Sequence, residues 1–584
     1  MSSPVKLSQY INKAPVIDTS KFEKKIHVSI LSSFTLNGLA ETLRVKCSDI
    51  NVDCIVYVSG YNQYNEDILN TESELYRFKP DISFLILDTR SIIGDLFYSP
   101  YSVSVTKRVD YVKKRSDELV NLINYFIKKS NSKMVITNLS IPTYSPYGIC
   151  ETKAEYGLYD MVRDFNKKLA EGLQNESAAY IYDFNSFVTR YGENSIFDHR
   201  QFHLGDIKIS LDYIPSFADE LIRYIKSVLG LNRKCIVVDL DNTLWGGVVG
   251  EDGFEGIELS PNGKGSTFVE FQHLLLSLYQ RGIILAVNSK NNPEEAMKVI
   301  REHPYMVLRE ENFACLKINW NDKVSNMREI AEELNIGLDS MTFFDDDPVN
   351  REYMKKALPN VLTVDLPNDS ALYAPTLTSM NDFDVLKITD EDRKRGDMYL
   401  QQRKRIDLEK NATNLEDFLN QLNIKIKIKK VDKFTIPRIA QLTLKTNQFN
   451  LTTHRYQEEE ITKFAQDRNM LVGSAQVEDK FGDNGITGAF IVRKNDSTEW
   501  VVDTFLLSCR VMGRRVEEVM IGYILREAKK EGVNKVKAQY IPTQKNKPCE
   551  MFLPNYGFKQ IGEYWVYDTS NIIKIPEHIE LEIE

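Results

Sequence analysis

The chain has 584 residues, about four times the usual single-domain length, so several domains are expected. Hydrophobic residues make up 42% and charged residues 27%, which excludes a disordered or collagen-like chain. The formal charge of −9 excludes a whole-molecule attraction to nucleic acid or anionic lipid and leaves room only for local basic patches.

In chain order, residues 1–230 carry short apolar, β-branched runs: Ile26–Phe34, Cys54–Val58, Ile82–Leu87, Met134–Thr137 and Ala179–Tyr182. Runs of this length fit buried strands. Between them lie amphipathic stretches such as Arg115–Lys129, with Leu119, Leu122, Ile123 and Phe126 on one face. Alternation of this kind predicts a doubly wound α/β domain. A second α/β domain is expected over 231–370, with strands Cys235–Asp239, Ile283–Val287 and Met341–Phe344. Thr267 and Glu270 read as a capping box for a helix that Gly282 ends. Residues 371–430 read as a polar helical linker closing on the strand Ile424–Lys430, isoleucines on one face and lysines on the other. From 431 to 584, strands near Gly488–Arg493 and Glu499–Leu507, a helix Val516–Lys530 and a last strand Lys535–Ile541 predict an α+β domain.

Seven scattered cysteines without CxxC or Cys/His zinc spacing predict a reduced, cytoplasmic protein without structural zinc. The first residues lack the apolar core of a secretion signal, and no run approaches the ~20 apolar residues of a membrane span.

The informative residues are Asp239-Leu-Asp241-Asn-Thr243, just past a buried strand. Two carboxylates at i and i+2 repel and are costly to bury unless compensated, and a divalent cation compensates them. Mg²⁺ takes oxygen ligands. A second acidic group, Asp345-Asp346-Asp347, follows the strand Met341–Phe344, and both would meet at the carboxyl ends of parallel strands. Ser289 closes another strand, and Lys323 sits at a helix mouth; a hydroxyl and an ammonium there can hold phosphate oxygens.

This ordered set resembles the haloacid dehalogenase (HAD) superfamily. The resemblance implies Asp239 as nucleophile or metal-binding acid, and Asp241 as general acid/base that also offers its backbone carbonyl to Mg²⁺. It implies Ser289 and Lys323 as the phosphoryl grip, and Asp345 with Asp346 as the rest of the metal site. The longer stretches DLDNTLWGGVVGEDG (239–253), SKNN (289–292), INWNDK (318–323) and FFDDDP (343–348) resemble the FkbH family. That family places this domain, without a large cap, between an N-terminal SGNH hydrolase-like domain and a C-terminal GNAT-like acetyltransferase fold. It implies loading of the glyceryl group of 1,3-bisphosphoglycerate onto the phosphopantetheine arm of an acyl carrier protein, as in polyketide, nonribosomal peptide or surface-glycan assembly. Members that relay the acyl group through cysteine carry it just before the motif serine, where this chain has Asn288. Direct transfer, another cysteine such as Cys315, or phosphate chemistry alone remain alternatives. The room between Asp241 and Ser289 allows only a flap and one helix, which favours a bulky partner closing the site.

In the third domain TFLLSCRVMGRRVEE (504–518), supported by NYGF (555–558), resembles a GNAT pyrophosphate loop, with Arg510, Gly513 and Arg514 as its anion-binding residues. Arg515 stands where that loop ends in a small residue. In the first domain Ser33, Gly60 and Asn138 occupy the SGNH nucleophile and oxyanion positions. Asp198, His199 and His203 have the wrong spacing for a triad, so a degenerate, partner-docking scaffold is expected. The sequence therefore predicts an α/β multidomain protein with a flavodoxin/SGNH-like domain, a Rossmann-like HAD domain and a GNAT-like domain. It predicts a Mg²⁺-dependent acyl-phosphate enzyme with a small phosphorylated donor and a carrier partner, and no nucleic acid or membrane. A plain phosphatase and a non-catalytic docking protein are the alternatives.

Overall fold

Five β-branched segments open the chain: β1 Lys24–Ser32, β2 Val52–Val58, β3 Ile82–Ile86, β4 Lys133–Thr137 and β5 Ala179–Tyr182. In the computed structural model, which describes residues 6–495, 499–571 and 573–584, they form one parallel sheet in the order β2-β1-β3-β4-β5. Every residue of β3 and β4 is buried, as a sheet covered on both faces requires. The flanking helix runs from Val105 to Lys129, starting earlier than its apolar stripe announced, because Ser104 caps it and its first turns are polar. The strand order reverses beside β1, which opens a crevice at the carboxyl ends of β1 and β3.

The chain divides into two units, Met1–Val228 and Leu229–Glu584. In the second, β6 Cys235–Val238, β7 Ile284–Ser289, β8 Phe313–Ile318, β9 Met341–Phe344 and β10 Leu362–Thr363 form a parallel sheet ordered β10-β9-β6-β7-β8. The predicted capping box is absent. The helix spans Gly265–Gln280, so Thr267 lies inside it, and its hydroxyl is hydrogen-bonded to Lys264 O and Ser370 Oγ, both at 2.8 Å. Gly282 does follow that helix, at φ +93°, and a Cβ there would lie 2.2 Å from Asp392 O. Only glycine fits both demands.

Residues 373–422 hold the helices Tyr373–Ser379, Asp390–Arg393, Arg395–Asn411 and Leu415–Leu422 with irregular chain between them, but they do more than link. On the helix Arg395–Asn411, Tyr399 joins the core under the first sheet of this unit and Leu408 packs against that of the second. The second sheet contains β11 Ile424–Lys430, β12 Phe449–Asn450, β13 Met470–Asp479, β14 Gly482–Lys494, β15 Glu499–Leu507, β16 Lys535–Ala538, β17 Lys559–Ile561, β18 Tyr564–Asp568 and β19 Ile579–Ile583. Its order is β17-β18-β16-β15-β14-β13-β11-β19, with β12 paired to β15. β16 is therefore not the last strand; β17 is only three residues long and β19 alternates with glutamates, whereas β18 is a short aromatic run, Tyr564–Asp568. Ile424, Ile426 and Ile428 are buried, while Lys425 pairs with Glu580 at 3.2 Å and Lys427 with Glu582 at 3.5 Å across β19. The lysine face thus has neighbouring glutamates. Among the described residues no helix is long and apolar enough to cross a membrane.

Candidate active site

Parallel pairing of β6 with β9 sets Val238 opposite Phe344, so the residues that follow them emerge side by side. The Asp239 N–H donates to Phe344 O at 2.9 Å and fixes that juncture. Asp239, Asp345 and Asp346 each present an oxygen, all within 4.8 Å of one another, and Asp345 is fully buried. Lys323, at the start of the helix Lys323–Glu333, bridges two of them: its Nζ is 2.8 Å from Asp239 Oδ2 and 2.6 Å from Asp345 Oδ2. Three carboxylates face one ammonium. Asp239 Oδ1 is buried without a hydrogen-bond partner, an expensive state in the absence of a positive charge. An oxygen-only donor set with an orphaned oxygen fits a hard divalent cation such as Mg²⁺.

The local field agrees. Burial together with the Asp239 and Asp345 carboxylates pushes Asp346 up to about 6. Burial and Asp239 also raise Asp345. Burial works against the Lys323 ammonium, but Asp239 and Asp345 outweigh it and raise its pKa.

Asp241 lies outside the carboxylate trio. Its Oδ1 accepts from Trp245 Nε1 at 2.8 Å and from Val249 N–H at 3.1 Å, and its Oδ2 from Asn291 Nδ2 at 2.8 Å. Burial raises its pKa, with Asp239 adding to the effect. Asn242, at φ +52°, turns the chain after it into the flap that holds the short helix Val249–Gly256. Ser289 closes β7 and is 1% exposed; its carbonyl accepts from Asn319 N–H at 3.1 Å.

Sequence reasoning missed three supporting residues. Asn291 is one, holding Asp241. Arg351 is another: its guanidinium donates to Asp345 O at 2.8 Å and Asp346 O at 2.5 Å, fixing the acidic turn. The third role belongs to Asn288, noted only as the missing relay position. Its side chain is fully buried, donates to Lys323 O at 2.8 Å and accepts from Asn326 Nδ2 at 3.1 Å. Nothing in spacing alone marks the Asn291 and Asn288 contacts, because they join segments 50 and 35 residues apart, whereas Arg351 reaches back within its own turn and helix. Cys315, in mid-β8, is 1% exposed, and burial with Glu333 pushes its thiol far up, the opposite of a reactive thiolate.

The Arg510-to-Arg515 turn has the left-handed residues of an anion loop, with φ +76° at Gly513 and +61° at Arg515. Its arginine side chains turn inward, however. Arg510 meets Met398 Sδ, and Arg514 donates to Asp479 Oδ2 at 3.1 Å and Gln402 Oε1 at 2.7 Å. Any anion there would be left mainly to the backbone N–H groups and Arg515. In the first unit, Ser33 Oγ accepts from Asp88 N–H at 2.8 Å, Asn138 Nδ2 donates to Asp183 Oδ1 at 2.7 Å, and a Cβ on Gly60 would meet Gln63 Oε1. Among the described residues no histidine is hydrogen-bonded to Ser33. Asp198 caps the helix His199–Gly205 instead of orienting a histidine.

Residues 27–226 match the family model of the FkbH N-terminal domain. The chain is similar to the crystal structure of the N-terminal part of BF1531 from Bacteroides fragilis, which contains a phosphatase domain complexed with Mg. Identity is 29% and the TM-score 0.60, over 66% of this chain and 100% of that one. Ard1 from Thermoplasma volcanium is 16% identical over 24% of this chain and 97% of its own, with a TM-score of 0.20. No curated protein matches the chain.

Proposed function

We propose that this chain is an FkbH-like, Mg²⁺-dependent enzyme of the HAD type that cleaves an acyl phosphate and passes the acyl group to the thiol of an acyl carrier protein. D-glyceryl from 1,3-bisphosphoglycerate is the expected acyl group. The carrying observation is the convergence of Asp239, Asp345 and Asp346 on one point faced by the Lys323 ammonium. The similarity to a Mg-complexed phosphatase domain supports the phosphoryl half of this reading.

Asp239, Asp345 and Asp346, with the backbone carbonyl of Asp241, would hold the ion, which supplies charge neutralisation for phosphate oxygens. Lys323 and Ser289 then grip the phosphoryl group, and Lys323 stabilises the charge that builds as phosphate departs. For transfer, the carrier thiolate adds to the acyl carbon, the C–O bond to phosphate breaks, and inorganic phosphate leaves into the Lys323 grip. Asp241, whose pKa burial raises, accepts the thiol proton. In the hydrolytic alternative the Asp239 carboxylate adds to phosphorus, the bond to the leaving oxygen breaks and Asp241 protonates that oxygen; water, deprotonated by Asp241, then adds to phosphorus and releases phosphate from Asp239.

A second reading, phosphatase activity without acyl transfer, is favoured by Asn288, which is locked against Lys323, and by the buried Cys315 thiol. Incubation with 1,3-bisphosphoglycerate, Mg²⁺ and pantetheinylated carrier, followed by mass measurement of the carrier, separates the two. A carrier heavier by one glyceryl group supports transfer. Phosphate release with an unmodified carrier leaves the phosphatase.

A further inference from the structure

An acetyltransferase fold implies acyl-coenzyme A as its cofactor, and the turn between β15 and the helix Val516–Lys530 is where the diphosphate would sit. The backbone there is suited to an anion. Gly513 and Arg515 are left-handed, Gly513 is exposed, and a Cβ on it would meet nothing within 4 Å. Space is available, so charge decides.

A diphosphate at a helix N-terminus needs free backbone N–H donors and cations within reach. Arg510 is 8% and Arg514 4% exposed, and Arg514 is already held by Asp479 and Gln402. Arg515 is at the surface, but its Nε lies 3.0 Å from Glu518 Oε2, which also accepts from the Tyr556 hydroxyl at 3.5 Å. The first turn of the helix carries two acids, Glu517 and Glu518. The Glu517 carboxylate accepts from its own backbone N–H, while its Oε2 is buried without a hydrogen-bond partner, and burial raises its pKa. An orphaned acceptor is the opposite of what an anion site offers. A phosphate seated there would bring more negative charge to an oxygen that already lacks a donor. His578 lies near the same turn, but burial and Arg515 lower its pKa from 6.5, so it brings no charge at neutral pH.

The strand edge is occupied as well. A pantetheine arm carries two amides, which a free strand edge can bind as it binds another strand. Leu506 and Leu507, at the end of β15, are paired on both sides, with Ala489 and Gly488 of β14 and with Asn450 and Phe449 of β12. β16 stops pairing with β15 at Val502. Beyond that point the Leu451 N–H donates to Phe505 O at 3.1 Å and the Ile541 N–H to Leu451 O at 2.8 Å, so the chain following β12 fills the gap.

We propose that the third domain binds no acyl-coenzyme A: Glu517 and Glu518 stand where a ligand's phosphates would, and residues 449–451 stand where its arm would lie along β15. The fold is kept and its cofactor site is closed by the chain itself. No step of the reaction proposed above passes through this turn, so the two proposals stand or fall separately.

Hydrogen–deuterium exchange of the full chain in EDTA, with acetyl-coenzyme A and with inorganic pyrophosphate as probes, tests it. In the unaltered chain neither probe should protect residues 505–518 or 449–451 at about 1 mM, a concentration that fills any site of micromolar affinity. The double variant Glu517→Gln, Glu518→Gln removes both charges and frees Arg515. Pyrophosphate at about 1 mM should then protect residues 510–518. Unchanged exchange of β13 and β14 in the double variant shows that the fold is kept. Protection of the turn by either probe in the unaltered chain overturns the proposal, and so does a double variant that pyrophosphate leaves unprotected, since the two acids would then not be what closes the turn.

Discussion

The Asn288 side-chain amide donates to the backbone carbonyl of Lys323 at 2.8 Å, so the residue before the motif serine holds the residue whose ammonium faces the acids. Asn326 completes the link by donating to Asn288 Oδ1 at 3.1 Å and to Asn319 Oδ1 at 3.0 Å. Asn288→Ala removes both bonds and leaves buried partners unmet, at a cost of about 1–3 kcal/mol in urea unfolding. Phosphate release should fall about tenfold or more through kcat, with KM little changed. Asn288→Cys should yield no acyl-enzyme by mass spectrometry, because its thiol would be buried against the helix Lys323–Glu333.

Asp346 sits in the repulsion of Asp239 and Asp345, which with burial pushes it up to about 6. The neutral isostere relieves that repulsion. Asp346→Asn should therefore raise Tm in EDTA while losing the increment that Mg²⁺ gives the unaltered chain. Scanning fluorimetry with and without the ion reads both effects; an equal Mg²⁺ increment in the variant would remove Asp346 from the metal site.

Asp503 is 6% exposed, and although burial opposes it, His454, Tyr456 and Arg493 draw its pKa down to about 2. A depressed acid contributes stability that is present above its ordinary value of 3.8 and lost as pH falls towards 2. His454, raised by the same contact, contributes stability present below 6.5 and lost as pH rises through its folded value. Asp503→Asn should lower the unfolding free energy by about 2 kcal/mol at neutral pH and flatten the acid limb of a Tm-against-pH curve.

Asp479 holds two buried arginines: Arg405 Nε at 2.7 Å and Arg514 at 3.1 Å. Asp479→Ala strands both guanidinium groups and should destabilise the second unit by about 3–5 kcal/mol, measured by urea unfolding. Asp479→Asn, which keeps one acceptor, should lose less.

Trp320, in the loop between β8 and the helix Lys323–Glu333, is 74% exposed beside the candidate site. An exposed tryptophan at a site mouth is a ready anchor for a partner. Trp320→Ala should leave hydrolysis of small phosphate esters unchanged and slow carrier-dependent transfer about tenfold or more. Equal losses in both assays would assign it to the small-substrate pocket instead.

Strands were legible where burial on both faces leaves an uninterrupted apolar run. Ala179–Tyr182 and Met341–Phe344 lie where their apolar runs put them, and Ile424–Lys430 lies where its alternation of isoleucine and lysine, one face buried, puts it. β8 was not seen because Lys317 interrupts its run, and its end lies beside the acids only through pairing with β7. The same physics limited the capping box, since Thr267 finds Lys264 O and Ser370 rather than a free helix end.

The sequence by itself determined the element alternation and which residue types close each strand, because both follow from local periodicity and composition. Tertiary structure alone decided which acids share a point, that Asn288 braces Lys323, and that Arg510 and Arg514 turn inward. Those outcomes depend on strand order and on contacts between residues far apart in the chain, and local pattern does not encode them.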